Sequence, residues 1–161
     1  MPRRSAWFAL AAAVVVLDQL SKWAVLSAFA PDERLALTGF FNLVLALNKG
    51  AAFSFLASAP GWQTPLFIAV AAAAIVIVSV LLVRSPADRL VCAGLALILG
   101  GAFGNLIDRL RFGQVVDFLD FHLYGWHWPA FNVADSAITI GAGLLIVESL
   151  LRRGADGERG R

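Results

Sequence analysis

The chain has 161 residues, of which 60% are apolar and only 15% charged, with a mean hydropathy of +0.78. Soluble domains carry about 25% charged residues, so this chain has too few charges to cover a water-facing surface; a soluble enzyme, a disordered chain and a fibre are all excluded. The expected solvent is a bilayer, and the length allows a single domain, residues 1–161, built from a few spanning helices. A net charge of +2 gives no case for nucleic acid. Cys92 stands alone, and His122 and His127 lack metal-ligand company, so neither metal nor cofactor is expected.

Residues 6–28 form the first candidate span, interrupted by Asp18 and Lys22. A cleaved signal peptide is the competing reading, with Arg3 and Arg4 ahead of the apolar run and Ala28-Phe29-Ala30 as a cleavage site. The apolar character resumes between Asp18 and Ser27 where a short polar region would be required, which favours a retained helix. Residues 29–63 follow as an outer segment. Its apolar runs on either side of Asn48-Lys49-Gly50 predict a small hairpin or curved sheet on the outer leaflet.

Residues 64–83 are almost entirely Ala, Val, Ile and Leu, long enough for a core of about 30 Å. Residues 90–107 give a third span, with Asn105 as its strongly polar side chain. Its Gly100-Gly101-Ala102-Phe103-Gly104 run places small residues four apart, a close-packing seam. Asn105, Asp108 and Arg109 continue that helix on one face, where a salt bridge and an amide would cap it or bind an extended peptide. An aromatic outer segment, 108–132, precedes the fourth span at 133–151, after which a polar tail begins.

Basic residues set the orientation. With the N-terminus cytoplasmic, the inner segments hold Arg3, Arg4, Arg84, Arg89, Arg152, Arg153, Arg159 and Arg161, against Arg34, Lys49, Arg109 and Arg111 outside. Both termini are therefore expected in the cytoplasm. Trp7, Trp23, Trp62, Trp126 and Trp128 fall near span ends or in outer loops, as interfacial anchors would.

A carboxylate within a span costs about 2.5–3.5 kcal/mol on insertion scales, so each one calls for a reason. Glu148 has Arg152 at i+4 and reads as a structural pair. Asp18 and Lys22 share that spacing and either orient the first helix or shape a polar site. Asp117 sits in the apolar run Val115-Val116-Asp117-Phe118, whereas Asp120 reads as an ordinary loop carboxylate. Asn132 and Asp135 have the spacing of a capping box, Asn132 as N-cap and Asp135 as N3. Two carboxyls meeting in a low-dielectric site would share a proton, the charged one activating water and the neutral one polarising a carbonyl. A small ion transporter using Asp18, Lys22 and Asp135, or a non-catalytic assembly subunit packing through the Gly100–Gly104 seam, compete with that reading.

Five blocks in chain order carry a resemblance to a known family. Asp18-Gln19-x-x-Lys22, Asn48-x-Gly50-Ala51-Ala52-Phe53, Gly100-Gly101-Ala102-x-Gly104-Asn105-x-x-Asp108-Arg109, Val115-Val116-Asp117-Phe118 and Phe131-Asn132-x-Ala134-Asp135 resemble the motifs of lipoprotein signal peptidase, the bacterial signal peptidase II family. The resemblance implies an all-α integral membrane protein with four transmembrane helices, a small extracytoplasmic β-cradle and a short mobile outer helix. It implies Asp117 and Asp135 as a catalytic aspartate dyad, with Asn48, Gly50, Asn105, Arg109 and Asn132 binding substrate or orienting the dyad, and Asp18, Lys22 and Asp108 supporting the site. The implied reaction removes the signal peptide from diacylglyceryl-modified prolipoproteins before the lipidated cysteine, at the outer face of the bacterial inner membrane. It uses no metal, cofactor, nucleic acid or obligate protein partner, has membrane lipids as neighbours, and is inhibited by globomycin.

Overall fold

The structure, a computed structural model, describes residues 4–50, 62–84 and 88–159. Each predicted span forms a helix: α1 (Arg4–Ala28), α2 (Gln63–Arg84), α3 (Arg89–Phe112) and α4 (Val133–Arg159). All four are long and apolar enough to cross a membrane, α4 over Val133–Arg152. Large side chains such as Val70, Val76, Ile77, Ile140 and Ile146 are exposed on the bundle exterior, as lipid contact requires.

Two boundaries differ from expectation. The third helix runs five residues past the predicted 107, because its polar last turn continues until Gly113, whose left-handed φ of 70° and N–H bond to the Arg109 carbonyl close it. Its start is set by Asp88, which accepts from the Leu90 and Val91 amides. The fourth helix continues through the expected polar tail to Arg159; apolar periodicity ends at Leu151, but the backbone ladder does not depend on it.

α3 is the central helix and packs on the other three. Ala11 of α1, Ile75, Val78 and Leu82 of α2, and Cys92, Leu95, Leu99 and Ala102 of α3 make one apolar core. The small-residue seam lets the backbones close in. A Cβ on Gly100 would lie 2.6 Å from the Ala11 carbonyl of α1, and one on Gly101 would strike the Ala134 carbonyl of α4. At Gly104 the space is taken by the Asp18 carboxylate, 2.5 Å from where a Cβ would stand.

At one end of the bundle lies a four-stranded antiparallel sheet in the order β1 (Arg34–Ala36), β2 (Phe41–Asn48), β3 (Val115–Leu123), β4 (Trp126–His127). Of the hairpin or curved sheet expected around Asn48-x-Gly50, the sheet is present, and its near limb β2 pairs over long range. β2 joins β1 along Asn42–Val44 and β3 at both of its ends, because β3 supplies a matching apolar strand. The other limb of that hairpin, the Ala51-Ala52-Phe53 part of the outer-loop motif and the aromatic run up to Trp62 fall at 51–61, outside the described residues, as does any short outer helix there.

A bulge in β2 decides what the sheet presents. Leu43 faces Leu119 and Ala46 faces Asp117, so β2 holds one residue more than β3 between these pairs. Cross-strand partners share a face, and the extra residue reverses the alternation. Asn42 thus lies on the face of Asp120, while Asn48 lies on the opposite face with Asp117.

Candidate active site

Asp117 on β3 and Asp135 in the first turn of α4 line one cavity of about 400 Å³, together with Asn48, Asn105, Arg109 and the segment Trp128–Phe131. Three asparagines hold the two carboxylates. Asn48 Nδ2 donates to Asp117 Oδ2 at 3.0 Å and Asn132 Nδ2 to Asp117 Oδ1 at 2.7 Å. Asn105 Nδ2 donates to Asp135 Oδ1 at 2.8 Å, and the Asn132 amide to Asp135 Oδ2 at 3.3 Å.

The orientation of each asparagine is chemically determined. Lys22 Nζ, which can only donate, lies 3.1 Å from Asn105 Oδ1, so the Asn105 NH₂ must face Asp135. The Asp135 amide donates to Asn132 Oδ1 at 2.9 Å, which turns the Asn132 NH₂ toward Asp117. The Gly50 amide donates to Asn48 Oδ1 at 2.8 Å, with the same effect on Asn48. Arg109 completes this link by donating from Nη2 to the Gly50 carbonyl at 3.1 Å, its guanidinium lying over the Phe67 ring.

The capping box read from the sequence is present: Asn132 and Asp135 exchange the two bonds that define it. That does not exclude a role at the site, since the same two residues reach Asp117 and the cavity. Burial pushes the Asp117 carboxyl up, and the nearby Asp135 charge adds to this. Hydrogen bonds from Asn48 and Asn132, with the Lys22 charge, only partly oppose the rise, and Asp117 is pushed up to about 7.

Behind the asparagines is a buried ionic triad. Lys22 lies 2.8 Å from Asp18 and 2.9 Å from Asp108, all three nearly inaccessible. With Asn105, this satisfies all three ammonium hydrogens. Asp108 pairs with Lys22 across the helix interface, while its neighbour Arg109 points toward the cavity and Gly50. Each acid also grips a backbone amide next to one of the two aspartates: Asp18 accepts from Ala134 at 2.9 Å and Asp108 from Val116 at 3.1 Å. The residue immediately before each of Asp117 and Asp135 is thereby fixed by one arm of the triad. Gln19, beside Asp18, donates from Nε2 to Asp108 Oδ1 at 2.9 Å and to the Gly104 carbonyl at 3.2 Å.

Every residue expected at the site from the sequence is thus brought into one network. Sequence reasoning misplaced Asp120, which is not a loop carboxylate. It is 4% exposed in β3 and accepts from Asn42 Nδ2 at 2.7 Å and His127 Nδ1 at 2.8 Å. The apolar neighbours of Asp120 were a signal of burial; its partners, on two other strands, left none.

Four helices long and apolar enough to cross a membrane, with a small sheet and two neighbouring carboxylates, Asp117 and Asp135, lining one cavity, fit a multi-pass membrane protein. Residues 10–151 match the family described as signal peptidase (SPase) II, and the chain belongs to that family, a family of membrane peptidases. It is similar to the lipoprotein signal peptidase of Ralstonia nicotianae, 58% identical over 146 residues that cover 91% of this chain and 84% of the relative. It is likewise similar to that of Paraburkholderia phymatum, 56% identical over 150 residues covering 92% and 90%. Two solved bacterial membrane enzymes share the fold, with TM-scores of 0.84 and 0.79 at 27% and 28% identity. They cover 94% and 91% of this chain and 91% and 93% of their own.

Proposed function

We propose that this peptidase removes the signal peptide from diacylglyceryl-modified prolipoproteins, cutting before the lipidated cysteine, with Asp117 and Asp135 as its catalytic dyad. The supporting observation is the closed set of hydrogen bonds through which Asn132 touches both aspartates while Asn105 and Asn48 each hold one. Both termini are cytoplasmic by the basic-residue count, which puts the sheet and the dyad at the extracytoplasmic face of the inner membrane.

Asp117, pushed up to about 7, is the proton holder and donates to the scissile carbonyl oxygen. Asp135, at the start of α4 where a negative charge is favoured, takes a proton from the attacking water. The water oxygen bonds to the carbonyl carbon to give a gem-diol. Collapse breaks the C–N bond as the proton on Asp135 passes to the amine of the lipidated cysteine and one diol hydroxyl returns its proton to Asp117; the carboxylic acid so formed gives its remaining proton to the released amine, and the signal peptide leaves as a carboxylate. Arg109, Asn48 and Gly50 line the path of the peptide backbone, and Asp18, Lys22 and Asp108 support the dyad from behind. The substrate's acyl chains stay among the apolar helices, so the peptide bond meets the carboxyls without leaving the bilayer surface. Globomycin is expected to inhibit by occupying this cavity, and the reaction needs neither metal nor cofactor.

The test is cleavage of a diacylglyceryl-modified prolipoprotein by the purified protein in micelles, followed on a gel beside Asp117→Asn and Asp135→Asn. Both folded variants should be inactive and the wild type blocked by globomycin. Full activity in either variant would remove the two-carboxyl mechanism.

A further inference from the structure

Asp120 takes no part in this chemistry, yet it is buried, which is costly for a carboxylate unless its oxygens are satisfied. The bulge in β2 places Asn42 directly beside it, and His127 approaches from β4. An ionised carboxylate only accepts, so the His127 ring carries its hydrogen on Nδ1. Arg34 of β1 lies 3.8 Å away and half exposed. Burial pushes Asp120 up, but the bonds from Asn42 and His127, with the charges of His127 and Arg34, outweigh it and hold the carboxyl below its ordinary value.

Immediately after His127 the chain leaves β4 and runs as a strap, Trp128-Pro129-Ala130-Phe131, into Asn132. Residues 128–130 of this strap separate two cavities. On one side is the cavity of Asp117 and Asp135; on the other is one of about 300 Å³ whose lining mixes Asp120, His127 and Arg34 with Val44 and Leu45. The strap is tied to β3 at its ends, by the Trp128 amide on the Phe121 carbonyl at 2.8 Å and by Phe131 paired with Leu119. Pro129, in between, has no N–H to contribute. The His127–Asp120 bond is a side-chain tie at the point where the strap departs, beside the Trp126–Trp128 ring contact.

We propose that His127 and Asp120 form a latch that positions the strap 128–131 as the outer wall of the substrate cavity, making His127 a positioning residue for substrate binding. This rests on the reading of that cavity as the peptidase site. Asn132 is separately anchored to Asp117 and Asn105, so release of the latch loosens the wall and leaves the dyad in place.

The test uses the full-length protein in micelles with the diacylglyceryl-modified prolipoprotein as substrate. In His127→Ala, KM rises about tenfold, the loss expected for one charge-assisted hydrogen bond, with kcat within about twofold of wild type. His127→Asn, whose amide NH₂ stands near the position of Nδ1, brings KM back to within about threefold of wild type. Maleimide labelling of an Ala130→Cys background reads the strap without catalysis, and is severalfold faster when combined with His127→Ala than with wild-type His127. A general loss of structure would instead lower the active fraction, and with it kcat, at unchanged KM. Unchanged KM and labelling in His127→Ala, or equal impairment in His127→Asn, would overturn the latch. If wild type fails to cleave, the functional reading falls while the labelling comparison still decides the latch. Should His127→Ala not fold, His127→Phe, which retains the stacking on His122 but has no ring N–H, carries the same comparison.

Discussion

The Asn132 side chain lies 2.7 Å from Asp117 through its NH₂, while its carbonyl oxygen accepts the amide of Asp135 at 2.9 Å. One side chain therefore serves as helix cap and as the bridge between two aspartates that are 18 residues apart. Removing it should act far more strongly on catalysis than on folding. In Asn132→Ala, loss of the cap is expected to cost about 1 kcal/mol of stability. Loss of a preorganised donor at Asp117, in the proposed mechanism, should lower kcat by about 10²-fold or more. Thermal melting and cleavage rates on the same preparation check the pair of values; equal, small effects on both would leave Asn132 as a cap alone.

The division between what was legible and what was not follows the same logic of local against distant contacts. The spans, the Asp18–Lys22 pair and the Asn132–Asp135 box all depend on spacing within one helix, and all are present. The bond from Lys22 to Asp108 crosses 86 positions of chain and follows from the packing of α1 on α3, which Gly104 makes possible by lacking a Cβ. The register of β2 on β3 likewise joins segments some 70 residues apart, and a single bulge decides that Asn48 faces Asp117 while Asn42 faces Asp120. No periodicity in the sequence announces that bulge, which is why Asp120 looked like a surface group.

The alkaline limb of the rate profile should report Asp117. Its carboxyl is pushed up to about 7, and the proposed mechanism uses its protonated form, so kcat/KM is expected to fall as pH rises through about 7. Asn48 donates to Asp117 and favours the charged form. Asn48→Ala removes that donor, so the carboxyl holds its proton to higher pH and the limb moves up. A pH series on wild type and Asn48→Ala measures this directly. A shift to lower pH, or no shift, would mean the limb belongs to another group.

The seam between α1, α3 and α4 should tolerate no side chain at Gly104. A Cβ there meets Asp18 Oδ2 at 2.5 Å and the Ala134 Cβ at 3.2 Å, so Gly104→Ala either displaces the buried carboxylate or parts the helices. The expected loss is about 1–3 kcal/mol, with reduced cleavage because Asp18 also holds the Ala134 amide. Gly143→Ala is the matched control: it lies in α4 with nothing within 4 Å of the added Cβ, and should be neutral or slightly stabilising. Unfolding in mixed micelles separates the two, and equal stability of both variants would show that the seam is loosely packed.

Lys22 offers the sharpest test of the support behind the dyad. Its ammonium is 2% exposed and divides its three hydrogens among Asp18, Asp108 and Asn105. Lys22→Met keeps the length of the side chain but leaves two carboxylates buried without their cation, a change that costs about 3–5 kcal/mol in comparable pairs. It also takes the ammonium off the Asn105 oxygen, leaving the longer bond from Asn132 Nδ2 at 3.3 Å as the donor that keeps the NH₂ aimed at Asp135. Stability and cleavage should therefore fall together. Adding Asp108→Asn to Lys22→Met removes one of the stranded charges and should recover part of the stability. Activity should not return with it, because Asn105 still lacks the ammonium. Denaturant unfolding beside cleavage rates for the single and double variants distinguishes these effects. Recovery of activity along with stability would mean that Lys22 acts on the fold alone and that the orientation of Asn105 is set by some other contact.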